Sequence, residues 1–130
     1  MASAVDFEKS LVATLKANTA LIALVGTNKI FPLIVPQGTA FPCISYQRIS
    51  GMPANTLSGH SGLEEIDLQI DVWAKTYTES KEIAKAVRAA MPATGTPFSA
   101  HLRMDEDLPG DDGTYFRVSM EYTVWFLETE

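Results

Sequence analysis

The stretch Glu64 to Tyr77, EEIDLQIDVWAKTY, constrains the fold more than any other part of the chain. Ile66, Leu68, Ile70 and Val72 alternate with Asp67, Gln69, Asp71 and Trp73, the period-two pattern of a half-buried strand. The chain then passes into a helical pattern. Thr76 with Glu79, or Thr78 alone, caps a helix that runs to Met91 and is ended by Pro92. Ile83, Val87 and Ala90 form its buried stripe, and Lys81, Lys85 and Arg88 lie on the opposite face. This strand-to-helix joint divides the sequence into two similar halves.

At 130 residues the chain reads as one domain, 1–130, able to bury roughly two-thirds of its unfolded surface. The longest apolar run, Ala20 to Val25, falls far short of the ~20 residues that span a bilayer. MASAVDFEKS lacks a basic region followed by an apolar one, so the expectation is a protein made and used without export. Cys43 is the single cysteine, which excludes an intrachain disulfide; in an apolar strand it reads as a small buried hydrophobe. The net charge of -6 comes from the last quarter, where Arg117 stands alone against eight acids. Clustered Lys/Arg, which phosphate binding needs, are missing, so wrapping of nucleic acid is not expected.

In the N-terminal half, Phe7, Leu11 and Leu15 recur every four residues in a helix capped by Ser3 or Asp6 and reaching about Asn18. Asn18 or Thr19 caps a second, short helix that Gly26 ends. Ile30 and Phe31 are too few to count as more than an extended piece. Three prolines and Gly38 make residues 32–42 a surface loop. Cys43 to Ser50 reads as a first strand, placed centrally, and Gly51 to Leu63 as a long hairpin loop. After the helix, His101 to Leu108 reads as a strand, PGDDG as a turn, and Thr114 to Leu127 as a last strand with Phe116, Val118, Met120, Tyr122, Val124 and Phe126 on one face. At ~3.4 Å per residue such a strand exceeds the usual 17 to 20 Å, so part of it is expected to bend or leave the core. The expected fold is α+β: a four-stranded, mainly antiparallel sheet with helices packed on one face, built as two hairpins joined by a helix.

Chemistry finds little footing. Ser58-Gly59-His60-Ser61-Gly62 brings a serine and a histidine together, but Leu63 stands where a nucleophile elbow needs glycine. A hydrolase using Ser61 and His60 is the weakest reading. His60 and His101 have no partner at metal-ligand spacing, so no metal site is expected. The acidic run Asp105, Glu106, Asp107, Asp111 and Asp112 fails the EF-hand pattern, whose fifth position is Pro109. No phosphate cradle follows Gly51 or Gly110. Neither a catalytic residue nor a cofactor is expected.

Pro36-Gln37-Gly38 with Phe41-Pro42, then Ile44-Ser45-Tyr46-Gln47-Arg48-Ile49-Ser50-Gly51, open a series of pieces in a recognisable order. Leu68-Gln69-Ile70-Asp71-Val72-Trp73-Ala74 with Tyr77 continues it, and Tyr115-Phe116-Arg117-Val118-Ser119 with Val124-Trp125 ends it. Together they resemble the tail completion, or tail terminator, family of long-tailed bacteriophages. The resemblance implies a structural virion protein assembled in the host cytoplasm. It implies a ring of six copies at the head-proximal end of the tail tube, which stops tube polymerisation and docks the head-side connector protein. The implied partners are thus further copies of the chain, the tail tube protein and the connector. DNA passes through without specific binding, and no membrane is involved. The alternative in the same class is another neck or tail component, a head-tail connector or a tube subunit.

A ring needs one patch to meet a different patch on the next subunit. Interface candidates are Met52, Asn55, Leu57 and His60 in the long loop, Asp67, Gln69, Asp71 and Trp73 on the wet strand face, and the basic stripe Lys81, Lys85 and Arg88. A wet face carrying a tryptophan implies coverage, by the long loop or, as favoured here, by a neighbour. The lumen candidates are Asp105, Glu106, Asp107, Asp111 and Asp112, whose charge would repel DNA and let it slide.

Overall fold

The structure, a computed structural model, describes residues 4–56, 59–94, 98–109 and 114–127. Three helices, α1 (Ala4–Ala17), α2 (Thr19–Val25) and α3 (Tyr77–Ala90), accompany five strands: β1 (Ile30–Pro32), β2 (Cys43–Thr56), β3 (Gly59–Ala74), β4 (Phe98–Pro109) and β5 (Phe116–Leu127). The strands form one mixed sheet in the order β1-β2-β3-β5-β4, with β1 parallel to β2 and every other pair antiparallel. The expected four-stranded, two-hairpin sheet is therefore corrected to a five-stranded mixed one. A three-residue strand has no period of its own to read; β1 exists because Ile44 N–H donates to the Lys29 carbonyl and its backbone pairs along β2.

Two further expectations change. Residues 51–56 and 59–63, expected as loop, are strand, because the β2–β3 ladder continues to the pair Thr56 and Gly59. Nor does β5 leave the core: β3 pairs with it from Phe116 to Leu127 and β4 from Phe116 to Phe126. Consequently β3, and not β2, is the middle strand.

The helices form where local chemistry allows. Asn18 Oδ1 accepts from Leu21 N–H at 2.9 Å to start α2, and Gly26 ends it at a φ of 99° that side chains rarely adopt. Thr76 Oγ1 accepts from Glu79 N–H at 3.1 Å, and Glu79 Oε1 reaches back to Lys75 N–H at 3.1 Å, so both groups are satisfied at the start of α3. All three helices pack on one face of the sheet. Phe7, Leu11 and Leu15 of α1 and Ile83 and Val87 of α3 are fully buried against Ile70, Val72, Met120 and Val124. Among the described residues no helix is long and apolar enough to cross a membrane.

Candidate functional site

Alternation along the strands sends a second set of side chains away from the helices. Ser45 and Gln47 of β2, Asp67, Gln69, Asp71 and Trp73 of β3, and Arg117, Ser119 and Glu121 of β5 share this helix-free face by register. Glu106 joins them from β4, opposite Ser119.

At one end of the face Trp73 anchors an aromatic group. Phe41 stacks on it at 6.2 Å, Tyr115 lies at 5.5 Å, and the Arg117 guanidinium sits 4.7 Å from the ring centroid. The indole Nε1–H donates to Ser45 Oγ at 3.1 Å. Coverage of the tryptophan thus comes from the segment before β2 and from the start of β5 of its own chain. Lys29 Nζ holds that segment by donating to the carbonyls of Ala40 and Pro42. Beneath it Cys43 is fully buried, and burial pushes its thiol up to about 11 although Lys29 pulls the other way. A thiol so placed is not a nucleophile at neutral pH.

Charges on the face are arranged in two clusters. Asp71, 8% exposed, accepts from Arg117 Nη2 at 3.1 Å, and both of its carboxylate oxygens accept from Gln69 Nε2, at 3.2 and 3.0 Å. Asp67 accepts from Ser50 Oγ at 2.9 Å and Arg103 Nη1 at 3.1 Å. Both donors adjoin irregularities: Ile49 and Arg103 are left out of their ladders as bulges. Glu65, Glu106 and Glu121 make no ion pair among the described residues. With the two arginines matched by aspartates, the face is net acidic.

Behind the sheet, the basic stripe of α3 meets β4 of its own chain. Lys81 Nζ lies 2.7 Å from Asp107 and Arg88 Nη1 3.6 Å from Asp105, while Lys85 is exposed without an ion pair among the described residues. Tyr77 adds a hydrogen bond to Asp107 at 3.3 Å. The Lys81 hydrogen bond holds the Asp107 carboxyl below its usual range, and the same bond raises the lysine. The Asp107 part of the stabilisation is complete above the ordinary carboxylate pKa of about 3.9 and is lost as pH falls through the lower folded value. The Lys81 part is complete below the ordinary lysine pKa of about 10.4 and is lost as pH rises through the raised one. Asp107→Asn is therefore expected to lower the melting temperature slightly and equally from about pH 5 to pH 9, by less than about 1 kcal/mol for so exposed a pair. The difference from wild type should close in acid; a pH series of melts checks it.

Of the other expected site residues, Met52, Asn55 and His60 lie in the β2–β3 ladder, with Asn55 opposite His60 and Met52 opposite Glu65. Leu57, Asp111 and Asp112 lie outside the described residues, as does Ser58. His101 is in β4 opposite Thr123. Among the described residues no three His, Cys, Asp or Glu side chains are grouped to hold a metal ion. Sequence reasoning did not find Phe41, Tyr115, Ser50 or Arg103; only the place of Arg117 on the polar face of the last strand was a usable signal.

Residues 9–127 match the family described as Tail completion protein gp17. The chain belongs to that family. It is a structural protein of the phage virion, of the tail completion or terminator type, and its place is the tail region. No curated protein matches it. Among solved structures, a chain of the virion of a native gene transfer agent particle is similar in fold, with a TM-score of 0.74 at 17% identity over 89% of this chain and 90% of that one. A family of tail completion proteins requires no catalytic group.

Proposed function

We infer that this tail completion protein works as a ring of six copies that caps the head-proximal end of the tail tube, stops its growth and presents the docking surface for the head-side connector. The observation that carries the reading is the division of one sheet into an apolar face sealed by three helices and a helix-free face whose Glu65, Glu106 and Glu121 make no ion pair among the described residues. A chain of the same fold in a gene transfer agent virion supports it. Glu65, Glu106 and Glu121 are placed toward the hole, where their charge repels passing DNA without gripping it. Asp105 and Asp107 are assigned elsewhere, since they face α3 and are held by Arg88 and Lys81.

Deleting the gene tests the reading against its alternative. Tails of normal width that grow beyond their proper length, seen by electron microscopy, are the expected result. Tails of normal length that fail to join heads would assign the chain to the connector instead, and absence of any tube would assign it to the tube.

A further inference from the structure

A ring needs two different surfaces of one chain to meet, and among the described residues no further strand covers either outer edge of this sheet. On one side, β1 pairs only with Ile44, Ser45 and Tyr46 of β2. Leu33 then adopts a φ of 61° and Ile34 N–H donates to the Pro32 carbonyl at 2.7 Å, a γ-turn that is strained for a leucine and swings the chain off the edge. From Gln47 onward β2 has no strand on its outer edge, the one away from β3, among the described residues. On the other side β4 pairs with β5 alone, and His101 to Asp107 are all exposed.

Edge strands are ordinarily guarded by lysines, prolines or a covering loop. β4 contains no lysine, and its proline is its last residue. Asp105 and Asp107 are turned toward α3, while Leu102 and Met104 remain 40% and 49% exposed. The directions also match. β2, β3, β5 and β4 alternate up and down, so β4 runs opposite to β2. Copies related by rotation about an axis along the strands bring β4 of one antiparallel to β2 of the next, a contact between unlike surfaces.

We propose that β4 of each copy pairs antiparallel with β2 of the next, Arg48 opposite Asp105 and Ile49 opposite Met104, so that the sheet continues from subunit to subunit. The inference rests on the ring reading above and adds the surfaces that close it. Arg48 is exposed with no ion pair among the described residues, and it shares the helix side of the sheet with Asp105. Ile49, itself 49% exposed, then covers Met104. A shift of two residues would set Ile49 against Glu106 in one direction, or Arg48 against Arg103 in the other. The pairing ends at Gln47 and Glu106, because the outer edge of Tyr46 is taken by Pro32.

The test is the double variant Ile49→Cys/Met104→Cys in the full chain at its highest soluble concentration under mild oxidation. Cys43 is fully buried, so the engineered thiols are the reactive ones. Disulfide-linked oligomers extending to a closed ring are expected, with each single variant remaining monomeric on a non-reducing gel. No interchain disulfide in the double variant overturns the proposal, and so do dimers from Met104→Cys alone, which would mark a two-fold contact between β4 edges. The reduced double variant is also supplied to a gene-deleted phage, and the assembled particles are then mildly oxidised. Normal tails without cross-linking would remove this interface and leave the ring reading standing. Cross-linked rings with overlong tails would do the reverse.

Discussion

Replacing Phe7 by alanine is expected to destabilise the protein by about 4 kcal/mol, the range for a fully buried aromatic truncated in a packed core. Phe7 is 0% exposed and its ring meets Phe98 edge-on at 5.4 Å and Phe126 at 5.6 Å. It is therefore the bolt between α1 and the far ends of β4 and β5. The loss has three parts: transfer of the ring from water, the two edge contacts, and a cavity that three separate elements must close together. At this chain length the melting temperature should fall by on the order of 15 °C. Phe7→Leu, which leaves a smaller void, should recover more than half of that. A thermal melt followed by circular dichroism is sufficient; a fall of only a few degrees in Phe7→Ala would mean that α1 does not seal this end of the core.

Arg117→Met should cost about 2 kcal/mol, less than the 3 to 5 kcal/mol for a fully buried pair because the arginine side chain is 30% exposed. Methionine keeps the apolar stem beside Trp73 and removes the guanidinium, leaving the 8% exposed Asp71 with the Gln69 amide alone. The cost is the stranded carboxylate more than the lost attraction. Asp71→Asn in the same chain should accordingly restore at least half of the stability, although it removes a second charge. Urea unfolding of the two single variants and the double variant reads the coupling directly. Additive losses would show that Arg117 acts through its stacking on Trp73 and not through Asp71.

Helices were legible because their signals are local. Phe7, Leu11 and Leu15 at spacing four, Asn18 and Thr76 at the caps and Gly26 at a helix end each act within a turn of their own position. Strand signals failed where partners decide. Gly51, Pro53 and Gly59 argue against a strand by composition, yet β2 and β3 hold one another in register through them. The overlong reach of β5 looked like a reason to leave the core, whereas its two neighbours are as long as it is. The site divides in the same way. The polar face of β3 was readable from alternation, but Phe41, Ser50, Arg103 and Arg117, which complete its two aspartate clusters and cover its tryptophan, arrive from other parts of the chain.

The bulge at Arg103 determines more than a local kink. Before it, even-numbered residues of β4 face the helices, as Phe98 and Ala100 do; after it, odd-numbered ones do, so that Asp105 and Asp107 reach Arg88 and Lys81. One inserted residue thus reverses the parity of the strand and sorts its three consecutive acids, two inward to ion pairs and Glu106 outward. Deleting Arg103 would close the bulge and leave Met104 opposite Glu121, with Asp105 and Asp107 still turned toward Arg88 and Lys81, so the acids would keep their sides and Asp67 would lose its guanidinium partner.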